Sequence, residues 1–453
     1  MSGLFESLSS ASNSLLAQRM GLDIVGQNIA NINTPGYTRR TLDLAEVPPT
    51  DSMDAGGGVN VVAMRALRDL LVEARLRREQ GGTARDAALA EALSTVEGVL
   101  GAPGGSIDAE ITNFFNTFSD LAIDPTSPSV RDMVLRQGAS VAQAFAGMVS
   151  QLTTVRQDAD ANIRASVDEI NRLAAELARL NVSLAAGSYD QEAIRDQEMV
   201  VLSRLGELAD VAVLRRDDGG VDVTLSTGEA IVIGDNAYAL TTSPNGFASI
   251  SLEGKDVTAS LTGGRVGGLL QVRDTVIPSY VARLDQLAFD LAAAVNAVHT
   301  TGFDANGAAG GNFFTPLATV AGAASALAVD PTLAADVTKL AASATGAAGD
   351  NGIARQLAAL RDAKVASGGN RTLVGAWSDF VYGVGADAAG ARGATASHRQ
   401  VVEQLQELRA QVSGVSYDEE AAHMMRYQRA YEANARYFQT IIDAMDALME
   451  MVR

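Results

Sequence analysis

The residue types that most often do chemistry in proteins are few and scattered in this sequence. The chain has three histidines, His299, His398 and His423, and no cysteine. None of the histidines stands in the H-E-x-x-H or H-x-x-E-H spacing that puts two zinc ligands and a glutamate on one helix. Without cysteine there is no thiolate for a metal site, a disulfide or nucleophilic catalysis. We therefore expect all three histidines to be structural or solvent-exposed.

Two short segments are similar to ligand loops but lack the required spacing. Residues 263–268, Gly-Gly-Arg-Val-Gly-Gly, have neither the G-x-G-x-x-G order nor the lysine of a phosphate loop. Asp304 and Asn306 begin like a calcium loop, but Ala308 occupies the next ligand position and no glutamate follows at the right distance. Both segments are predicted to be turns. The sequence thus predicts no enzyme, no metal site and no cofactor.

Charge and hydropathy exclude several classes of partner. The formal net charge of −19 opposes binding to nucleic acid or to an anionic membrane. No run of about 18 uncharged apolar residues predicts a membrane span. The N-terminal sequence Met-Ser-Gly-Leu-Phe-Glu lacks the basic region of a secretory signal peptide. We expect no nucleic acid and no membrane as partner, and any export must use a route without a cleaved signal.

The two ends of the chain carry the most regular helical pattern. Apolar residues recur at steps of three and four along the first 32 residues and again after Ser416, and one glutamine interrupts each stripe. Neither helix can bury its stripe alone, so the two are predicted to pack on each other or on neighbouring copies; ordinary core helices of a bundle are the alternative. We hypothesise that the two glutamines fix the register. The predicted assembly interface comprises Leu4, Leu8, Leu15, Gln18, Leu22, Val25, Ile29, Met424, Gln428, Tyr431, Phe438, Ile442, Met445, Met449 and Val452.

Short motifs mark the inner ends of both helices. Pro35 keeps Thr34 out of the α region and Gly36 permits a positive φ, so a tight turn is predicted after the first helix. Residues 412–415 are predicted to form a hinge before the last helix. Ser416 and Glu419 then have the spacing of a capping box, in which each side chain satisfies the other's backbone N–H.

Between the ends, the sequence predicts long helices and one small β region. Helices are expected over 67–100, 107–121, 128–186, 190–208, 269–299, 353–361 and 372–412. Period-two alternation with glycine-containing turns predicts antiparallel strands between 211 and 261, and 59–63 is a further strand. Residues 307–350 are expected to be loosely structured, with a strand at 326–329. The predicted aromatic core comprises Phe114, Phe115, Phe118, Trp377, Phe380 and Tyr382.

These patterns predict a mainly α fold. It is an elongated helical bundle or coiled coil formed from both chain ends, with an inserted small antiparallel β domain. Residues 1–35 with 415–453 would form a terminal coiled-coil assembly domain. A helical rod domain would comprise 36–208 with 264–305 and 350–414. The β domain would comprise 209–263, with 306–349 as an optional addition.

Two segments resemble a known family. Residues 26–39, Gly-Gln-Asn-Ile-Ala-Asn-Ile-Asn-Thr-Pro-Gly-Tyr-Thr-Arg, are similar to the N-terminal signature of the bacterial flagellar axial proteins, the rod, hook and hook-associated proteins. Residues 413–420, Ser-Gly-Val-Ser-Tyr-Asp-Glu-Glu, and 427–435 are similar to the C-terminal end of that family. Residues 36–39 resemble the hook-associated members in particular. The signature turn comprises Asn31, Thr34, Pro35, Gly36, Tyr37 and Arg39.

The chain also departs from the family. Tyr417 stands where a smaller aliphatic residue is usual, and the chain is short, which implies a reduced or missing outer domain. The resemblance implies a structural part of the flagellum, exported through the type III apparatus and located outside the cell at the hook–filament junction. Its implied partners are further copies in a ring, the hook protein on one side, the next hook-associated protein or the filament on the other, and an export chaperone. A hook or rod component, and a secreted coiled-coil effector or adhesin, are the alternatives.

Overall fold

The computed structural model describes residues 2–48, 58–101, 106–187 and 190–451. The chain divides into two units, each with its own internal contacts. Unit 1 comprises Met1–Gln80, Asn171–Ala239 and His398–Arg453, and unit 2 comprises Gly81–Ile170 and Leu240–Ser397. The three-domain boundaries expected from the sequence stay a prediction.

The two chain ends pack on each other in unit 1. Helix α1 (Ser2–Ala30) lies along helix α12 (Tyr417–Met451), as the apolar stripes predict. A hairpin of strands β1 (Arg40–Glu46) and β2 (Val59–Ala66) packs against α1. The hairpin is antiparallel, pairs Arg40 with Ala66, and has a bulge between Asp43 and Leu44.

The rest of unit 1 is built from helices and a four-stranded sheet. Helix α5 (Gln191–Leu208) is followed by β3 (Val211–Arg215), β4 (Val221–Leu225), β5 (Ala230–Ile233) and β6 (Asn236–Ala237), which are antiparallel and adjacent in that order. Val221, Val223 and Leu225 are at most 1% exposed and alternate with more exposed residues, which is the predicted period of two.

Long helices connect these segments. Helix α2 (Leu70–Leu100) and helix α4 (Pro128–Ala185) are both continuous, and the 58 residues of α4 agree with the predicted helix over 128–186. Pro128 fits the first turn of α4 because its missing N–H has no helical partner there. None of the helices in the four described ranges is both long enough and apolar enough to cross a membrane.

Unit 2 contains most of the remaining elements. They are α3 (Ile107–Ile123), the antiparallel strands β7 (Leu240–Thr242), β8 (Ile250–Leu252) and β9 (Lys255–Asp256), α6 (Gly264–Gln271), a π turn (Val272–Val276), α7 (Ile277–His299), α8 (Ala323–Ala326), α9 (Pro331–Ala335) and α10 (Gly352–Ala359). Helix α11 (Leu373–Ser413) begins in unit 2 and belongs to unit 1 from His398 onward. With the sheets and the packed chain ends, these elements confirm the predicted mainly α fold with an antiparallel β insertion.

The core of unit 2 is an aromatic cluster around His299. The rings of Phe114 and Phe118 are 5.1 Å apart, and Phe114 lies 5.3 Å from Phe313. His299 is fully buried beside them, where its Nδ1 lies 2.7 Å from the Gly311 carbonyl and its Nε2 accepts from the Ala341 N–H at 2.9 Å. Burial lowers the pKa of His299, so its imidazole is neutral and structural.

Two expectations for unit 2 were wrong. Residues 307–350 are not loose, because Phe313, Leu333 and Leu340 are at most 1% exposed. The predicted strand at 326–329 is reduced to one isolated antiparallel bridge between Phe314 and Val329, and the short helix α8 ends at Ala326. Small alanine side chains fit either conformation, so tertiary packing decides the structure here.

A third error concerns Tyr382, which is 79% exposed although it was predicted in the core. Trp377 and Phe380 are 4% and 5% exposed and share one face of α11, being three residues apart. Tyr382 follows Phe380 by two residues, about 200° round the helix, and therefore faces away. The Asp304 loop is a turn as predicted, since its Oδ1 accepts from the N–H of Asn306 and of Ala308.

Candidate assembly site

The signature turn is closed by its own side chains and backbone. The Thr34 N–H donates to the Asn31 carbonyl at 2.9 Å, and the Thr34 hydroxyl donates to Asn31 Oδ1 at 3.1 Å. The Tyr37 N–H then donates to the Thr34 carbonyl at 3.2 Å. Gly36 has a φ of +83°, and a Cβ there would lie only 2.5 Å from Val200 Cγ2. Glycine is therefore required for two reasons: the backbone has a positive φ, and α5 approaches too closely to leave room for a side chain.

Asn28, in the last part of α1, connects this turn to the other end of the chain. It is 1% exposed and makes four hydrogen bonds. Its Oδ1 accepts from the Tyr37 hydroxyl at 2.8 Å and from the Arg40 N–H at 3.0 Å. Its Nδ2 donates to the Arg40 carbonyl and to Glu420 Oε2, both at 3.0 Å. The hydrogen-bonding capacity of the amide is thus filled.

Arg39 completes the connection to α12. Its Nε donates to Glu420 Oε1 at 2.8 Å, and its Nη1 donates to Glu419 Oε2 at 3.1 Å. Its backbone N–H donates to the Ser413 carbonyl at 3.0 Å. Glu420 is only 2% exposed. Its buried charge is stabilised because both carboxylate oxygens accept hydrogen bonds. We call Asn28, Tyr37, Arg39, Glu419 and Glu420 the terminal clamp.

The Tyr37 hydroxyl keeps its proton in this setting. Burial is the main cause that raises its pKa to about 12, and the carboxylates of Asp196 and Glu420 act in the same direction. The guanidinium of Arg40, 5.2 Å from the Tyr37 ring centroid, partly opposes them. The hydroxyl can therefore donate to Asn28 at all physiological pH values.

A second charged layer joins the hairpin to the start of α5. Arg68, just after β2, donates from Nη1 to Glu192 Oε2 at 2.6 Å and from Nη2 to Asp196 Oδ1 at 2.7 Å. Arg40 reaches the same region, but its Nη1 lies 3.4 Å from Asp190 and its Nη2 lies 3.5 Å from Asp196. The hairpin is therefore fixed to α5 mainly through Arg68.

The structure places the predicted assembly stripe at the edge of the α1–α12 contact. In α1, Val25 is buried, and the other predicted residues, Leu4, Leu8, Leu15, Gln18, Leu22 and Ile29, are half-buried. In α12, the half-buried members are Met424, Phe438, Ile442 and Met445, and the exposed members are Gln428, Tyr431 and Met449. Val452 lies outside the described residues. Whether the stripe binds neighbouring copies stays a prediction.

The contact within one chain uses residues next to that stripe. Ile441 and Glu420 are the residues that α12 buries most. A Cβ on Gly21 would lie 2.5 Å from Tyr427 Cε1, so α1 approaches α12 so closely that only glycine fits. Sequence reasoning missed the roles of Gly21, Asn28, Tyr427 and Glu420. Three of them lie in the segments that carry the family resemblance, but periodicity gives no sign of a buried polar pair.

Within the described ranges, neither side-chain hydrogen bond of the predicted capping box is formed, and Ser416 takes part only through its backbone carbonyl. Helix α12 begins directly after Ser416, and the Ser416 carbonyl accepts from the Glu420 N–H at 2.9 Å. The Glu419 carboxylate, however, turns towards Arg39 and, within the described ranges, does not reach back to Ser416. Pairing with a cation is stronger than a neutral backbone contact, so the clamp takes precedence over the cap.

Three family models match successive parts of the chain. The flagellar hook-associated protein FlgK helical domain matches residues 93–314. The flagellar basal body rod FlgEFG protein C-terminal model matches residues 409–451, and the flagella basal body rod protein model matches residues 8–38. The last two segments contain every residue of the terminal clamp except Arg39, which directly follows the segment 8–38.

Whole proteins are similar over the full chain. Flagellar hook-associated protein 1 of Bacillus subtilis is 27% identical over 509 positions, covering 100% of this chain and 98% of the relative. The protein of that name from Escherichia coli is 25% identical over 545 positions, covering 98% and 99%. Since these alignments are longer than the chain of 453 residues, its shorter length lies in internal segments.

One solved structure has the same fold. The flagellar hook junction protein FlgK from Burkholderia pseudomallei superposes with a TM-score of 0.67 at 18% identity. The superposition covers 75% of this chain and 100% of that one.

Proposed function

We infer that this chain, which belongs to the flagellar hook-associated protein family, is a structural component of the bacterial flagellum that joins the hook to the filament. The observation that carries this inference is the terminal clamp. Residues 8–38 and 409–451, the two segments similar to flagellar rod proteins, are joined by the hydrogen bond between Asn28 and Glu420, and Arg39, directly after the first segment, adds an ion pair with Glu420. The similarity of residues 93–314 to the hook-associated helical domain favours a junction protein over a hook or rod component.

The finer proposal is that copies of the chain form a ring through the terminal helices. Tyr431 and Met449 are 40% and 69% exposed, and Gln428, which precedes Tyr431 by three residues on the same stripe of α12, is exposed as well. A second copy could cover this stripe, since the first copy's α1 already occupies the neighbouring face at Tyr427. Burial of apolar side chains would then favour assembly by roughly 25 cal/mol per Å².

We further propose the route and the neighbours of the protein. The chain would be exported by the flagellar type III apparatus without a cleaved signal and would act outside the cell. The hook protein would contact the ring on one side and the next hook-associated protein or the filament on the other. An export chaperone would cover the apolar stripe of α12 before assembly, because an exposed stripe promotes aggregation.

A deletion strain tests the proposal. We expect cells that lack this chain to keep their hooks, to shed filament protein into the medium and to stop swimming. Expression of the wild-type chain should restore attached filaments, scored by electron microscopy and by motility. Normal swimming in the deletion strain would refute the junction role, and loss of the hook itself would identify a hook or rod component instead.

A further inference from the structure

An open cleft lies in unit 1 beside the signature turn, and Tyr37 is the one residue of the terminal clamp among its described lining residues. Its volume is about 580 Å³, and the turn forms one wall while α4 and α5 form the other. Pro35, Tyr37 and Val200 give part of the lining an apolar character, and Val200 is 49% exposed. The cleft can therefore receive a side chain with a long apolar stem.

The far wall of the cleft is acidic. It carries Glu176 from α4 and Asp190 and Asp196 from the start of α5, with Arg40 as the one cation among the described lining residues. The ion pairs of Arg40 are long, 3.4 Å to Asp190 and 3.5 Å to Asp196, whereas charged hydrogen bonds are typically about 2.7–2.9 Å. Asp196 is 8% exposed, yet its Oδ2 accepts no hydrogen bond within the described ranges. Asp196 Oδ1 is paired with Arg68 at 2.7 Å, and Glu176 Oε2 lies 3.5 Å from Arg172, so the capacity for a further cationic donor lies in the second oxygen of each carboxylate.

Arginine fits this environment better than lysine. Its stem packs on apolar surface, and its planar guanidinium can donate to two carboxylates at once. The sequence limits the choice as well, because every lysine of the chain lies in unit 2, at positions 255, 339 and 364. A cation that the terminal helices of another copy bring to the cleft must therefore be an arginine.

We propose that this cleft binds an arginine side chain from helix α12 of a second copy of the chain, either Arg429 or Arg436. The inference rests on the proposed function, since it requires copies side by side. Both arginines are exposed, and neither has a hydrogen bond or an ion pair with another described residue. They are seven residues apart on one face, and Arg429 lies about 200° round the helix from Tyr427, which faces α1. They are thus directed away from their own chain's α1 and available to another copy.

Because the natural chain has no cysteine, introduced cysteine pairs report this contact cleanly. Gln197, an exposed residue that lines the cleft, would be changed to cysteine together with Arg429→Cys or Arg436→Cys. Each full-length variant would be expressed in the deletion strain, and isolated hook–filament junctions would be oxidised mildly. We expect disulfide-linked dimers and larger species from at least one pair. The matched control is Gln197→Cys with Arg399→Cys, an exposed arginine of α11, and it should stay monomeric.

The outcomes separate the inference from the proposed function. If neither test pair cross-links in junctions that support swimming, the cleft contact is overturned while the junction role stands. Cross-linking of the control pair as readily as the test pairs would overturn it too. If the wild-type chain fails to restore filaments in the deletion strain, the proposed function itself fails.

Charge reversal gives an independent test. Glu176→Arg alone and Arg429→Glu alone should each reduce the fraction of cells with attached filaments, and the double variant should recover it. Glu403→Arg, which reverses an exposed charge elsewhere in unit 1, is the control and should behave like wild type. If Arg436 is the residue bound, Arg436→Glu should give the same loss and rescue. Single variants that all equal wild type, or a double variant no better than the worse single, would contradict the contact.

Discussion

At the scale of single residues, the most important side chain is one whose role no periodic pattern indicates. Asn28 lies on an amphipathic helix that carries several other polar residues, and the sequence alone does not tell whether such an amide faces solvent or a buried partner. Its partners come from two other parts of the chain, since Tyr37 and Arg40 lie shortly after α1 and Glu420 lies in α12. The family resemblance marked the segments that contain these residues, whereas their hydrogen bonds became known only from the fold.

Asn28→Ala should destabilise the protein by about 3 kcal/mol, because it leaves the buried Glu420 and the Arg40 backbone short of partners. Urea unfolding followed by circular dichroism measures the change. Asn33→Ala, at an exposed position of the same turn region, is the control and should stay within about 0.5 kcal/mol of wild type. Equal stabilities of the two variants would show that the amide is not the centre of the clamp.

His299 predicts a pH dependence of stability. Burial lowers its pKa in the folded state, so below the ordinary value near 6.5 the unfolded chain binds the proton more readily. The free energy of unfolding should therefore fall by about 1 kcal/mol between about pH 7.5 and about pH 5.5 on account of this group.

Comparison of two variants isolates that contribution. His299→Asn should be less stable overall but should lose less stability on acidification than the wild-type chain. His423→Asn, on helix α12, should keep the wild-type slope. If His299→Asn loses as much stability on acidification as the wild-type chain does, His299 is not the group responsible.

At the scale of elements, the spacing of apolar residues predicted those helices and strands that bury a single face. Helix α4 and strand β4 are examples, because their apolar spacing leaves one orientation that buries them. The strand predicted at 326–329 forms only one bridge, since small alanine side chains fit many conformations, and the π turn at Val272–Val276 was not foreseen. That turn puts Arg273 within 2.6 Å of Asp160, a contact between segments far apart in sequence.

Two glycines of α1 test the packing of the terminal helices. Gly21→Ala should destabilise the α1–α12 contact, because its Cβ would lie 2.5 Å from Tyr427. Gly26→Ala is the matched control, since nothing lies within 4 Å of a Cβ there, and it should stabilise the helix by about 0.5–1 kcal/mol. Hydrogen exchange of the α1 amides would measure both effects. Compared with the wild-type chain, we expect faster exchange in Gly21→Ala and equal or slower exchange in Gly26→Ala. The same response from both would mean that helix propensity, not close packing, dominates.

At the scale of the whole molecule, the division into two units predicts separate responses to truncation. Trp377, the single tryptophan, is 4% exposed in unit 2, so its fluorescence reports that unit. Ending the chain after Ser413 removes α12 from unit 1, and the tryptophan emission should stay at its buried wavelength. Protection of α1 from hydrogen exchange should be lost at the same time. A red-shifted tryptophan would show that unit 2 depends on α12.

The hydrogen bond between Asn28 and Glu420 spans 392 positions of sequence, which has a consequence for the order of folding. Contacts of such high contact order form late, because the intervening chain must be brought together first. A chain that emerges from a narrow conduit with its N-terminus first cannot form this contact until Glu420 has left the conduit. The clamp would then form only in a chain that includes Glu420. A chain that ends before this residue leaves Asn28 and Arg39 without their partner, and its α1 does not dock.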